Sequence, residues 1–181
     1  MKKNFLLIIF IFFFTDVSAN NKEYIIQNLE KTENLTFNFE QNINGKIESG
    51  KCTIAYPKKI YCSYNKNNKI LVSNGKSLVI KTISSFYRYP LNKTPLSLIL
   101  DKNFLINKIY SLEENIIDNL YIGYSIVENE NKIDIFFDVI SLELIGWQTK
   151  DIYQNTTLTL ISSISKNQKI NKKLFKLPSQ N

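Results

Sequence analysis

Histidine is absent from the 181 residues of this chain. That removes imidazole general bases, Ser-His-Asp and Cys-His nucleophile systems, and the commonest zinc ligand. Carboxylates could still do acid–base work, but Glu113 with Glu114, and Glu128 with Glu130, fall in turns or strand ends and read as solvated surface. No enzyme activity is expected, and no cofactor or metal motif is present. Arginine occurs once, as Arg88, and the lysines behind the formal net charge of +7 are scattered along the chain. Scattered lysines on an exported chain exclude a nucleic-acid partner as the leading reading and leave some attraction to acidic membrane surfaces.

Long hydrophobic runs are equally scarce. One stretch of ten apolar residues occurs, at 5–14, too short for the about 20 that cross a bilayer. Lys2 and Lys3 precede it, and Thr15 to Ala19 supply the short residues of a cleavage site, so residues 1–19 read as a cleaved secretory signal. The exported part is then a single domain of residues 20–181 with a charge of +6, Lys2, Lys3 and Asp16 having left with the signal. No cysteine stands directly after the cleavage site, the first being Cys52, so the mature chain is not expected to be lipid-anchored there.

Only two cysteines exist, Cys52 and Cys62. A hairpin turn over residues 56–58 places them opposite each other on neighbouring strands, within disulfide reach. An oxidising compartment favours that bridge over two buried thiols, and a redox pair wants closer spacing.

What remains is dense alternation. Residues 22–31 carry Ile25, Ile26 and Leu29 on one helical face. Leu35, Phe37 and Phe39 then alternate with Thr36, Asn38 and Glu40, as in a half-buried strand. A strand follows to Ala55, with Gly50 expected as a bulge or tight bend. Ile60, Cys62 and Tyr64 alternate after Pro57, and Asn74-Gly75 predicts a type I′ hairpin. Residues 86–89 form a further strand. Thr94 and Pro95 predict a helix start, opening the segment Pro95–Leu100 that is apolar on nearly every side. Strands are expected to resume near 109–113 and continue through Ile122/Tyr124/Ile126 and Ile133/Ile135/Phe137, joined by a turn at 129–131. A last hairpin spans 142–164, turning at Gln154-Asn155, and Leu174 with Phe175 anchor a one-turn tail element. The pattern predicts nine or ten antiparallel strands in a strongly curved sheet or half-open barrel. One N-terminal helix and one short apolar helix would cover it.

The motifs FNFEQNINGKIESGKCTIAYPKKIYCSY, NKILVSNGKSLVI, YRYPLNKTPLSLIL, LELIGWQTKD and KKLFKLP occur in an order that resembles the periplasmic outer-membrane lipoprotein carrier family, LolA, over essentially the whole mature chain. The resemblance implies a periplasmic monomer whose hydrophobic cavity shields the acyl chains of lipoproteins. It also implies an inner-membrane ABC-type complex as donor and an outer-membrane lipoprotein receptor as acceptor. A related lipid-binding or lipid-sensing module with other cargo is the alternative. The family places an Arg before the turn proline to latch a lid; here that position is Tyr56. Ile60 and Cys62 stand where aromatic residues are usual. The candidate cavity residues are Phe37, Phe39, Ile54, Ile60, Leu96, Ile99, Leu100, Ile122, Tyr124 and Trp147.

Overall fold

A computed structural model describes residues 21–128, 131–150 and 155–180; residues 1–19, expected as a secretory signal, and parts of the turns expected at 129–131 and 154–155 lie outside them. Helix α1 (Asn21–Glu30) buries Ile25 and Leu29, the two positions that its four-residue repeat places on one face. Strands β1 (Asn34–Ile43) and β2 (Lys46–Ala55) are joined through a turn in which Asn44 and Gly45 take positive φ. β3 (Lys59–Tyr64), β4 (Ile70–Asn74), β5 (Ser77–Lys81) and β6 (Phe86–Pro90) extend the same meander. A 3-10 turn (Leu91–Lys93), α2 (Leu96–Ile99) and α3 (Lys102–Ser111) follow. The chain then returns through β7 (Asn115–Ile117), β8 (Tyr121–Glu128), β9 (Asn131–Asp138), β10 (Leu144–Lys150) and β11 (Thr156–Lys166).

The described strands form one antiparallel sheet in the order β6-β5-β4-β3-β2-β1-β11-β10-β9-β8-β7. Two meanders therefore walk outward from the central β1–β11 pair, and β6 and β7 remain as free edges. The sheet is a half-open barrel. A bulge at Ser163, whose φ is 52°, lets Thr36 face Ser165 while Asn38 faces Ser162. Such an extra residue increases the local bend. Ile25 and Leu29 of α1 and Leu105 and Ile109 of α3 complete a core with Phe37, Ile54, Ile122, Tyr124, Ile126, Ile133, Ile135 and Phe137. On the opposite face, Val72 and Val79 are buried, as is Phe175 of the C-terminal 3-10 turn (Lys172–Phe175), which packs on β3 and β4.

Four local expectations are corrected. Residues 109–113 do not resume the sheet; Ile109 belongs to α3, whose first turn is capped by the Asp101 carboxylate accepting from the Phe104 N–H at 3.2 Å. Gly50 is no bulge, because it keeps register with Phe39 on one side and Tyr64 on the other. It is needed because those two rings meet edge to face above it, 4.9 Å apart, and a Cβ there would lie 2.1 Å from the Ser63 carbonyl oxygen. The Asn74-Gly75 turn is not the two-residue type I′ form. Type I′ needs positive φ at both residues, and Gly75 takes it while Asn74 does not; the Asn74 side chain accepts from the N–H groups of Lys76 and Ser77, both at 3.0 Å. Thr94 does not cap α2, since its hydroxyl turns back to donate to the Leu91 carbonyl at 2.7 Å.

Candidate functional site

The strand register brings together residues far apart in sequence. Phe37 and Phe39 of β1, Cys52 of β2, Ile60, Cys62 and Tyr64 of β3, Leu71 of β4, Leu78 of β5 and Trp147 of β10 face one cavity of about 240 Å³. Thr94, Pro95, Leu96 and Ile99 roof it. Phe37 and Trp147 meet edge to face at 6.2 Å. At one end the apolar wall gives way to Gln41, Thr149, Thr157 and Thr159. The site is a greasy slot with a polar rim.

Of the ten residues singled out from sequence, Phe37, Phe39, Ile60, Leu96, Ile99 and Trp147 line this cavity. Ile54, Leu100, Ile122 and Tyr124 do not; they are buried in the core beside it. Alternation identifies a buried face but not which part of it is left unfilled. Tyr64, Leu71, Leu78 and the polar rim also line the cavity and were not singled out from sequence. Leu78 was within reach, because it sits opposite Ser73 and thus on the same face as Ile60.

The cysteines form the expected bridge, with Cα atoms 4.1 Å apart, and Cys52 pairs directly with Cys62 in the β2–β3 ladder. Both sulfurs belong to residues of the cavity wall. The bridge therefore fixes the floor under α2.

The roof is held at both ends by main-chain hydrogen bonds. The Leu91 N–H donates to the Lys76 carbonyl at 2.9 Å, and the Lys58 N–H donates to the Leu100 carbonyl at 2.8 Å. Lys58 also reaches the Asp101 carboxylate at 3.0 Å. Tyr56, at the expected latch position, makes no hydrogen bond through its buried hydroxyl. Its ring instead carries the Lys102 ammonium 5.9 Å above its centre, and burial pushes its phenol well above the ordinary value. The contacts that tie the β2–β3 turn to the roof come from Lys58.

Burial also pushes the Tyr124 phenol up, with the charge of Glu114 adding to it, to about 12. No group of three or more Cys, Asp or Glu side chains placed to hold a metal occurs among the described residues. No described helix is long and apolar enough to cross a membrane.

An open antiparallel sheet wrapped around an apolar cavity, with short helices across its mouth, defines the half-open barrel class of binding protein. The chain belongs to the outer membrane lipoprotein carrier protein LolA family, which matches residues 12–178. No curated protein matches the chain. Among solved structures, an uncharacterised conserved protein from Thermus thermophilus is similar with a TM-score of 0.50 at 6% identity, covering 89% of this chain and 96% of that one. A LolA superfamily protein from Nitrosomonas europaea gives 0.46 at 8% identity, covering 88% and 99%. A putative outer membrane lipoprotein-sorting protein domain from Vibrio parahaemolyticus gives 0.47 at 7%, covering 86% and 97%.

Proposed function

We propose that this protein is a periplasmic carrier that takes the acyl chains of lipoproteins into the cavity beneath α2 and moves them from the inner to the outer membrane. The observation that carries the reading is the roof itself: a four-residue helix, apolar on almost every side, lying across an apolar slot. A slot of about 240 Å³ falls short of the roughly 300–1,000 Å³ of ordinary small-molecule sites, so entry of an acyl chain requires Leu96 and Ile99 to withdraw. Closed, those side chains fill the cavity; open, they cover lipid. Exposing an acyl chain to water costs ~0.8 kcal/mol per CH₂. A roof that trades places with the cargo offsets most of that cost in both states, so release stays feasible. The polar rim suits an amphiphile whose tail lies inside and whose linkage stays near water. On this reading an inner-membrane ABC-type complex loads the carrier and an outer-membrane receptor unloads it.

Trp147 is the only tryptophan in the chain and lines the slot, so it reports occupancy directly. Titration with a triacylated lipopeptide bearing bromine on its acyl chains is expected to quench Trp147 saturably. Absence of quenching by a natively folded protein refutes the reading. A related module with different lipid cargo is favoured by one observation, a Tyr56 hydroxyl without a hydrogen bond where the family latch is an Arg. Equal quenching by brominated phospholipid and lipopeptide, with only phospholipid co-purifying from a bacterial periplasm, selects that second reading.

A further inference from the structure

The lysines are scattered in sequence, but the charge is not. From Ser49 to Leu100 the chain has eight lysines, Arg88 and no carboxylate. The rest of residues 20–181 holds 12 basic and 15 acidic side chains. The sheet order gathers that acid-free stretch at one end, from β3 to β6. The C-terminal 3-10 turn packs on β3 and β4 and adds exposed Lys172, Lys173 and Lys176. Lys81 donates to the Ser179 carbonyl at 2.9 Å, which holds the tail there. Among the described residues two carboxylates border this end, and both are engaged: Glu48 by Lys46 and Lys69, Asp101 by Lys58. Lys76, Arg88 and Lys93 are exposed and form no ion pair among the described residues.

The same end carries apolar surface at a free strand edge. Among the described strands β6 pairs with β5 alone. Ile83, in the β5–β6 turn, is 81% exposed. Tyr87 and Tyr89 pair with Ile80 and Leu78, which puts them on the cavity side, and their exposed rings stack at 6.5 Å. Tyrosines and a protruding aliphatic side chain among lysines match the chemistry of a bilayer's headgroup layer. Neighbouring lysines and arginine are attracted to anionic lipid at that depth.

We infer that the β5–β6 edge docks this protein onto an anionic lipid bilayer. Ile83, Tyr87 and Tyr89 enter the headgroup layer while Lys76, Arg88 and Lys93 meet anionic phosphates. The roof segment, residues 91–101, leaves β6 directly, so docking brings the mouth of the cavity to the membrane surface. The surface acts whether or not the cavity takes lipoprotein, because it needs only the bilayer.

The test is flotation of purified protein starting at Asn20, so that the apolar run at 5–14 plays no part, with phosphatidylcholine vesicles with or without phosphatidylglycerol. Binding is expected only to the anionic vesicles and to fall as salt rises. Lys76→Gln, Arg88→Gln and Lys93→Gln should each weaken it about fivefold. Ile83→Ser with Tyr87→Ser and Tyr89→Ser should weaken it further, whereas Lys132→Gln with Lys150→Gln, on β9 and β10, should not. Equal binding to both vesicle types, equal loss from the β9–β10 variant, or capture of an acidic protein or nucleic acid without vesicle binding overturns the inference. None of these outcomes depends on Trp147 quenching, so this inference and the carrier reading fail separately.

Discussion

At Gly50 the backbone of the neighbouring strand β3 and the Phe39 ring crowd one small volume. An added methyl would sit 2.9 Å from the Phe39 ring and nearer still to the Ser63 carbonyl. Gly50→Ala is therefore expected to destabilise by about 1–3 kcal/mol through overpacking, read from the urea midpoint. The sequence marks the glycine but not its reason, since a bulge and a close approach look alike before the partner strands are known. Tyr124 poses a different problem: a phenol raised to about 12 from an ordinary 10.0 by burial and by the neighbouring Glu114 carboxylate. Above pH 10 the unfolded chain ionises at this residue while the folded chain does not. The stability it contributes is full below pH 10 and is lost as pH rises toward 12. Tyr124→Phe should flatten that alkaline decline. An identical alkaline decline in both proteins would count against this.

Among the elements, the β2–β3 hairpin was fully legible: alternation, the turn at Pro57 and the cysteine spacing all gave the observed register. Its bridge closes a loop with a sequence separation of 10, so Cys52→Ser with Cys62→Ser should cost about 2–3 kcal/mol in chemical denaturation. Unchanged stability would remove its stiffening role. Helix α3 was not legible as a helix, because Ile106, Ile109 and Tyr110 resemble strand residues. Leu105 and Ile109, four apart behind the cap at Asp101, were the signal passed over. Asp101 joins that cap to the roof contact. Asp101→Asn can keep the cap and lose the Lys58 ion pair, which is partly exposed and worth under about 1 kcal/mol. Asp101→Ala loses both, and its cap contributes about 1 kcal/mol more. Quenching of Trp147 by brominated lipopeptide should consequently speed up slightly in the first variant and several-fold in the second. Equal rates in all three proteins would show that Asp101 does not hold the roof.

Across the whole molecule, stability should grade from the centre to the roof. β1 is bonded on both sides, to β2 and β11, whereas α2 is one turn of helix held by hydrogen bonds at its ends. Hydrogen exchange at Ser97 and Leu98 is expected to run orders of magnitude faster than at Phe39 and Ile161; similar protection would make the roof a fixed part of the core. The sequence by itself determined the strands, their buried faces, the disulfide and an oddly apolar segment at 95–100, because these follow from a period of two and from local turn chemistry. The tertiary structure alone decided which buried residues border empty space. Ile60 and Ile54 share a strand pair and a face, yet only Ile60 reaches the slot. Where a core is left unfilled depends on what the other strands and the roof bring to that point, and no single strand encodes it. The same holds for charge: nine basic residues on four strands, the turns between them and the roof are gathered at one end only when the sheet lays those strands side by side.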